Sequence, residues 1–267
     1  MLIAAAVCPH PPLLVPEVTG AHGPGADELH RLRAACREAV AVLVGSAPDL
    51  LVVVGGAGHT AEYPPAALPP SSPGGPIPPD LPWGETTLLA WPPVAAGPSP
   101  PGGSLRDFAV PFAVGTDPVL PLSLTIGRWL LAGAAAGGPS AAWWGVAASA
   151  VAADCLNLGE KLAALAPRVA LLAMGDGPGR RARGVPGAAD PAADRYDDQV
   201  TAALAAADPG ALATLDPRRD EELFVAGRAA WQVLAGAASQ GAFAADLRYA
   251  AAPFEVSYYV ATWVRAH

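Results

Sequence analysis

The chain has 267 residues, of which 52% are hydrophobic and 15% charged, a balance that suits a folded chain with a sizeable core and argues against one that is mainly disordered. Its formal net charge is -8, and no stretch clusters Lys or Arg with interleaved aromatic residues, so a nucleic-acid partner is not expected. Cys8, Cys36 and Cys155 are too few and too scattered for a disulfide framework, which points to reduced thiols in a cytoplasmic protein.

The N-terminal run Met1 to Val7 lacks a basic segment and is broken by Pro9, Pro11 and Pro12, so no export signal is read. Elsewhere Gly, Pro and charged residues interrupt every apolar run before the roughly 18 residues of a membrane span are reached. Leu2 to Val7, wholly apolar and halted by proline, predicts a strand buried on both faces. From Asp27 to Val44, Leu29, Leu32, Cys36, Val40 and Leu43 recur at helical spacing among Arg31, Arg33, Arg37 and Glu38, which predicts an amphipathic helix. Leu50 to Val54 then completes a strand-helix-strand unit of the size a parallel crossover needs.

From about residue 56 to 105 the chain is rich in proline and glycine, which precludes regular helix or central strand over most of it and predicts a long insertion. Trp83 and Trp91 within it suit a cover that packs. Beyond it the pattern predicts a strand at Phe108 to Val114, a helix at Leu122 to Leu131, a strand at Ala142 to Ala148, a helix at Leu156 to Leu165 and a strand at Val169 to Met174. The turn Gly175-Asp176-Gly177-Pro178-Gly179 follows, then a helix opened by Asp190-Pro191, an N-cap and a first-turn residue. A helix from about Asp220 carries Leu223, Phe224, Gly227, Trp231 and Leu234, and two β-rich runs, Phe243 to Tyr249 and Val256 to Val260, close the chain. Alternating strands and helices over residues 1–267 predict a single α/β domain with a central, mostly parallel sheet and helices on both faces.

In such sheets ligands bind beyond the carboxyl ends of the strands. His10 lies just after the first predicted strand and His59 just after the second, so both belong to that rim if the strands are parallel neighbours. Two imidazoles and a carboxylate form the facial set that holds iron(II) with open positions, whereas a third His or a Cys points towards zinc. The competing reading makes His10 a loop residue bonded to backbone and His59 a surface residue. Cys8 reads as a soft ligand or as a small buried hydrophobe. Gly55-Gly56-Ala57-Gly58 lacks the Gly-Lys-Ser/Thr and the following helix of a phosphate loop.

The segment Val7-Cys8-Pro9-His10-Pro11-Pro12-Leu13-Leu14, followed by His59 at a distance of 49 residues after Val52-Val53-Val54, resembles the class III extradiol ring-cleavage dioxygenases, the family of the protocatechuate 4,5-dioxygenase catalytic subunit. Leu171 to Gly177 with Pro186-Gly187 and Asp190 to Val200, and the closing Ala252 to Val260, are similar to further segments of that family. The resemblance implies Fe(II) held by His10, His59 and a carboxylate, for which Glu255 is the first choice and Asp246 the second. Zinc and a metal-free pocket are the alternatives. It also implies a small aromatic substrate, and the residues themselves offer Asp176 and Arg180 as substrate contacts, Arg180 for an anionic group. A local turn former competes for Asp176, and a solvated basic loop for Arg180 with Arg181 and Arg183.

One departure stands out: the turn Gly177-Pro178-Gly179-Arg180 contains no histidine, where the family is expected to carry a base for a catechol proton. His22 lies in a Gly-rich loop, His30 on the first helix and His267 at the terminus. The expected activity is Fe(II)-dependent ring cleavage of a catechol-type molecule. The alternatives are a superfamily member without oxygenase chemistry that binds a metal, a small ligand or a protein partner, and a metal-dependent hydrolase. A homo-oligomer is compatible with all of these.

Overall fold

The computed structural model describes residues 1–16, 25–63, 120–132, 140–179 and 190–266. Strand β1 (Leu2–Cys8) is buried on both sides, because it pairs in parallel with β5 (Val169–Met174) and antiparallel with β7 (Tyr258–Arg265). The other strands are β2 (Leu50–Ala57), β3 (Ala61–Tyr63), β4 (Ser140–Ala147) and β6 (Phe243–Ala251). They form a seven-stranded mixed sheet in the order β3-β4-β2-β5-β1-β7-β6. Its centre, β4-β2-β5-β1, is parallel, while β3 and the β6-β7 pair are antiparallel. All residues of β5 are buried, as a strand covered on both faces requires.

Helices α1 (Ala26–Gly45) and α2 (Leu122–Ala132) cover one face, where Leu32, Cys36, Leu43, Leu124, Ile126 and Leu130 pack on Ala6, Cys8, Val53 and Leu172. On the other face α3 (Ala152–Ala163), α4 (Pro191–Ala206) and α7 (Arg228–Ala238) bring Cys155, Leu162, Tyr196, Val200 and Trp231 onto Val52, Val54, Leu171 and Ala173. The α/β architecture with helices on both faces is therefore as the sequence predicts. Between α4 and α7 lie the short helices α5 (Pro209–Ala213) and α6 (Pro217–Leu223).

Several boundaries differ for identifiable reasons. The helix expected from Asp220 through Leu234 is two helices, because Phe224 turns into the left-handed region and Gly227 restarts the chain as the cap of α7. The expected insertion begins later than the glycines suggest: β2 runs through Gly55 and Gly56 to Ala57, held by its ladder to β4. β3 then pairs with that same strand. The last strand starts at Tyr258 rather than Val256. The strand expected at Phe108 to Val114, and most of the Pro-rich stretch with Trp83 and Trp91, lie outside the described residues.

Asp-Pro opens three helices rather than one. Asp190, Asp208 and Asp216 each cap a helix whose next residue is proline, with carboxylates accepting from Ala192, Ala211 and Arg218 backbone N–H groups at 2.8, 3.0 and 2.9 Å. A buried ionic cluster then ties these short helices to the sheet. Arg228 donates through Nε to Asp220 at 2.6 Å, through Nη1 to Ala150 O at 2.7 Å and Gln232 Oε1 at 2.9 Å, and through Nη2 to Ala148 O. Gln232 Nε2 in turn donates to Leu215 O at 2.9 Å. Burial pushes the Asp220 carboxyl up to about 6 against the opposing pull of Arg228. No described helix is long and apolar enough to cross a membrane.

Candidate functional site

Among the described residues, the helices that next follow β1 and β2 are α1 and α2 on one face, whereas those after β4 and β5 lie on the other. Since the order is β2-β5-β1, neighbouring strands at the centre are followed by helices on opposite faces. This is the arrangement that opens a crevice beyond the strand carboxyl ends. It also corrects one expectation: β1 and β2 are parallel but not neighbours, for β5 stands between them. The rim of interest is therefore set first by the segment that leaves β5.

That segment is the glycine-rich turn, and its backbone is held from several directions. Gly175 N–H donates to Cys8 O at 2.9 Å, Gly177 N–H to Ser257 O at 2.8 Å, Ala226 N–H to Asp176 O at 3.1 Å and Ser257 N–H to Pro178 O at 3.0 Å. The glycines are needed for this closeness: a Cβ on Gly175 would lie 2.4 Å from Gly227 Cα, and one on Gly177 2.7 Å from the Tyr259 hydroxyl. Asp197 of α4 fixes the far side by accepting from Ser257 Oγ at 2.6 Å and from the Tyr259 hydroxyl. A turn pinned in this way holds the one polar side chain it carries, Asp176, in a set place.

Asp176 and His10 meet there. His10 backbone N–H donates to Asp176 Oδ1 at 2.8 Å, across 166 residues of sequence. The imidazole Nδ1 lies 3.6 Å from the same oxygen. Both residues are buried, at 8% exposure for His10 and 7% for Asp176. The carboxylate thus binds a distant strand end rather than a local turn amide. Burial raises the Asp176 carboxyl above its ordinary range, and the His10 charge and N–H bond oppose that rise. His10 Nδ1 is itself buried with no hydrogen-bond partner among the described residues.

The remaining candidates do not converge on this pair. His59 is exposed beyond β2, its ring centroid 6.1 Å from that of Tyr63. Glu255 is exposed and sits at φ 63° in the turn before β7. Asp246 lies on the edge strand β6, 2.9 Å from Arg248 Nη2. His30 is exposed on α1. Cys8 and Cys36 are both buried in the core. His22, His267, Arg180, Arg181 and Arg183 lie outside the described residues. Among the described residues no group of three or more His, Cys, Asp or Glu is arranged to hold a metal ion. The His10 imidazole and the Asp176 carboxylate are two donors of suitable chemistry for iron or zinc, but His59 and Glu255 do not close a set around them, so the described residues do not fit a bound metal.

The turn explains Glu255 in another way. A side chain in the left-handed region costs about 1–2 kcal/mol that glycine does not incur. Glu255→Gly is therefore expected to raise folding stability by about 1 kcal/mol, measured by denaturant unfolding. A loss of bound metal in that variant would instead make Glu255 a ligand.

Two parts of the rim escaped the sequence reading. One is the Ala226-Gly227 strap laid over the Asp176 turn, which carries no motif. The other is Tyr258, whose place on the α1 face could have been read from the period-two alternation of the last strand.

No protein-family model matches the chain, and no curated protein matches it. Among solved structures it is similar to the crystal structure of uncharacterized protein JW3007 from Escherichia coli K12, at 17% identity over 97% of this chain and 99% of that chain, with a TM-score of 0.49. That likeness carries no argument about function.

Proposed function

We propose that this chain is a divergent relative of the class III extradiol dioxygenases that binds a small hydroxylated aromatic molecule at the carboxyl rim of β1 and β5. His10 and Asp176 would take and return the proton of the ligand's hydroxyl. The observation that carries this reading is the buried His10–Asp176 pair at the carboxyl ends of β1 and β5, on a turn that five backbone hydrogen bonds hold in place. A neutral imidazole accepts a phenolic proton, and a carboxylate beside it favours the imidazolium that results. Exclusion of water strengthens that interaction.

Fe(II)-dependent ring cleavage is the second reading. It is favoured by one observation, that His10 and His59 both follow central parallel strands and so belong to the same end of the sheet. The failure of His10, His59 and Glu255 to gather favours binding without oxygenase chemistry.

Oxygen uptake and ligand binding separate the two. The purified protein, with and without added Fe(II), is titrated with a panel of catechols while bound metal is measured by elemental analysis. Binding that weakens tenfold or more in His10→Ala, with no oxygen consumed, is the expected result. Oxygen consumption that needs iron and disappears in both His10→Ala and His59→Ala would establish ring cleavage instead. No binding to any catechol would sink both readings.

A further inference from the structure

Strand β7 contributes a polar group that neither the fold nor the His10–Asp176 pair uses. Tyr258 is 0% exposed in the core on the α1 face, and its hydroxyl has no hydrogen-bond partner among the described residues. Its position is set by two independent pairings. β1 and β7 run antiparallel with Val7 opposite Ala261, so β7 begins at the end of the sheet from which β1 leads to His10. Its chain neighbour Ser257 exchanges backbone hydrogen bonds with Gly177 and Pro178, on the turn that carries Asp176. Tyr258 therefore follows directly on a residue bonded to the Asp176 turn, on the strand that flanks β1. Burial raises its phenol first and the Asp176 charge raises it further, which is consistent with that closeness.

Two buried polar atoms at this end of the sheet, the Tyr258 hydroxyl and His10 Nδ1, thus have no hydrogen-bond partner among the described residues. Each such group costs its desolvation unless something bonds it, and a ligand at the rim would satisfy both.

We propose that Tyr258 is a ligand-contacting residue of the rim site, and that its hydroxyl and His10 Nδ1 together select an aromatic hydroxyl over a carboxylate. A hydroxyl satisfies both atoms at once: Tyr258 O–H donates to the ligand oxygen, and the ligand O–H donates to the neutral imidazole. A carboxylate can only accept, and it meets the like charge of Asp176. The inference rests on the reading that the rim binds a hydroxylated aromatic, and adds both a residue and a rule of discrimination.

The test compares 4-nitrocatechol with 4-nitrobenzoate by calorimetric titration of the full chain, wild type against Tyr258→Phe, with melting temperatures recorded for each protein without ligand. Wild type is expected to bind the nitrocatechol at least tenfold more tightly than the nitrobenzoate. Tyr258→Phe should bind the nitrocatechol about tenfold more weakly, leave the nitrobenzoate unchanged and melt no lower than wild type. Equal nitrocatechol affinity in the two proteins overturns the role of Tyr258 and leaves the rim reading standing. A lower melting temperature for Tyr258→Phe also overturns it, since the hydroxyl would then serve the fold through an internal water. No binding of the nitrocatechol by wild type overturns the rim reading, and this inference with it.

Discussion

Arg228→Met is expected to cost about 3–5 kcal/mol of folding stability, more than any other substitution proposed for this chain. The arginine side chain is wholly buried and cannot shed its charge. It supplies hydrogen bonds to Asp220, Gln232 and the carbonyls of Ala148 and Ala150. Methionine can fill part of the volume but leaves those acceptors without their donor, and leaves Asp220 without its counter-charge.

The pH dependence comes from Asp220. Its carboxyl stands at about 6 in the folded protein against 3.8 for the ordinary group, so the native state binds more protons than the unfolded chain between these values. Ionisation of Asp220 therefore subtracts stability as pH rises through about 6. Removing Arg228 raises that carboxyl further, so the loss in Arg228→Met should be larger above about pH 6 than below it. Urea unfolding on either side of that pH measures both quantities. An unchanged midpoint would show that the cluster carries no stability. Because α7 begins at Arg228, directly after the Ala226-Gly227 strap, the same variant should also loosen the Asp176 turn.

Asp176→Asn is expected to be more stable than wild type at neutral pH and to lose function. The amide keeps an acceptor for the His10 N–H and removes a carboxyl whose pKa burial raises. A raised folded pKa means that ionisation subtracts stability as pH rises through it. The stability advantage of Asp176→Asn should thus be absent at acid pH and grow as the wild-type carboxyl ionises. Loss of the charge beside His10 should weaken catechol binding by about tenfold. Asp176→Ala, by contrast, strands the buried His10 N–H and should lose about 1–3 kcal/mol relative to the asparagine variant. Thermal melts over a pH series together with catechol binding distinguish these outcomes. An asparagine variant that is less stable and fully functional would make Asp176 a structural residue only. A gain in stability paired with loss of function is the expected mark of a site residue.

Local signals in the chain were enough for the central elements. The apolar runs at Leu2 to Val7, Leu50 to Val54 and Val169 to Met174 predict strands, the first of them buried on both faces, and each is a strand. The spacing of Leu29, Leu32, Cys36, Val40 and Leu43 predicts α1 and the face it buries. Asp190-Pro191 marks the start of α4, and the same chemistry at Asp208-Pro209 and Asp216-Pro217 marks two further helix starts. These features are legible because burial pattern and capping depend on residues a few positions apart.

Placement of the site required the tertiary structure. His10 could be put at a strand end from sequence, but its partner could not. β5, which arrives about 160 residues later, inserts between β1 and β2 and brings Asp176 to His10. The same insertion separates the strands that precede His10 and His59. Glu255 reads as a carboxylate near the last strand, yet its backbone enters the left-handed turn that begins β7. Tyr258 is one of two adjacent tyrosines in the sequence. Only the β1–β7 register and the hydrogen bonds of Ser257 place it at the end of the sheet that carries Asp176, and leave Tyr259 on the opposite face with Asp197. Strand order and long-range register are set by contacts between distant segments, where a shift of one residue reverses every side chain. The chain by itself determined which segments are buried strands and capped helices; the order of those strands decided which polar side chains share the rim.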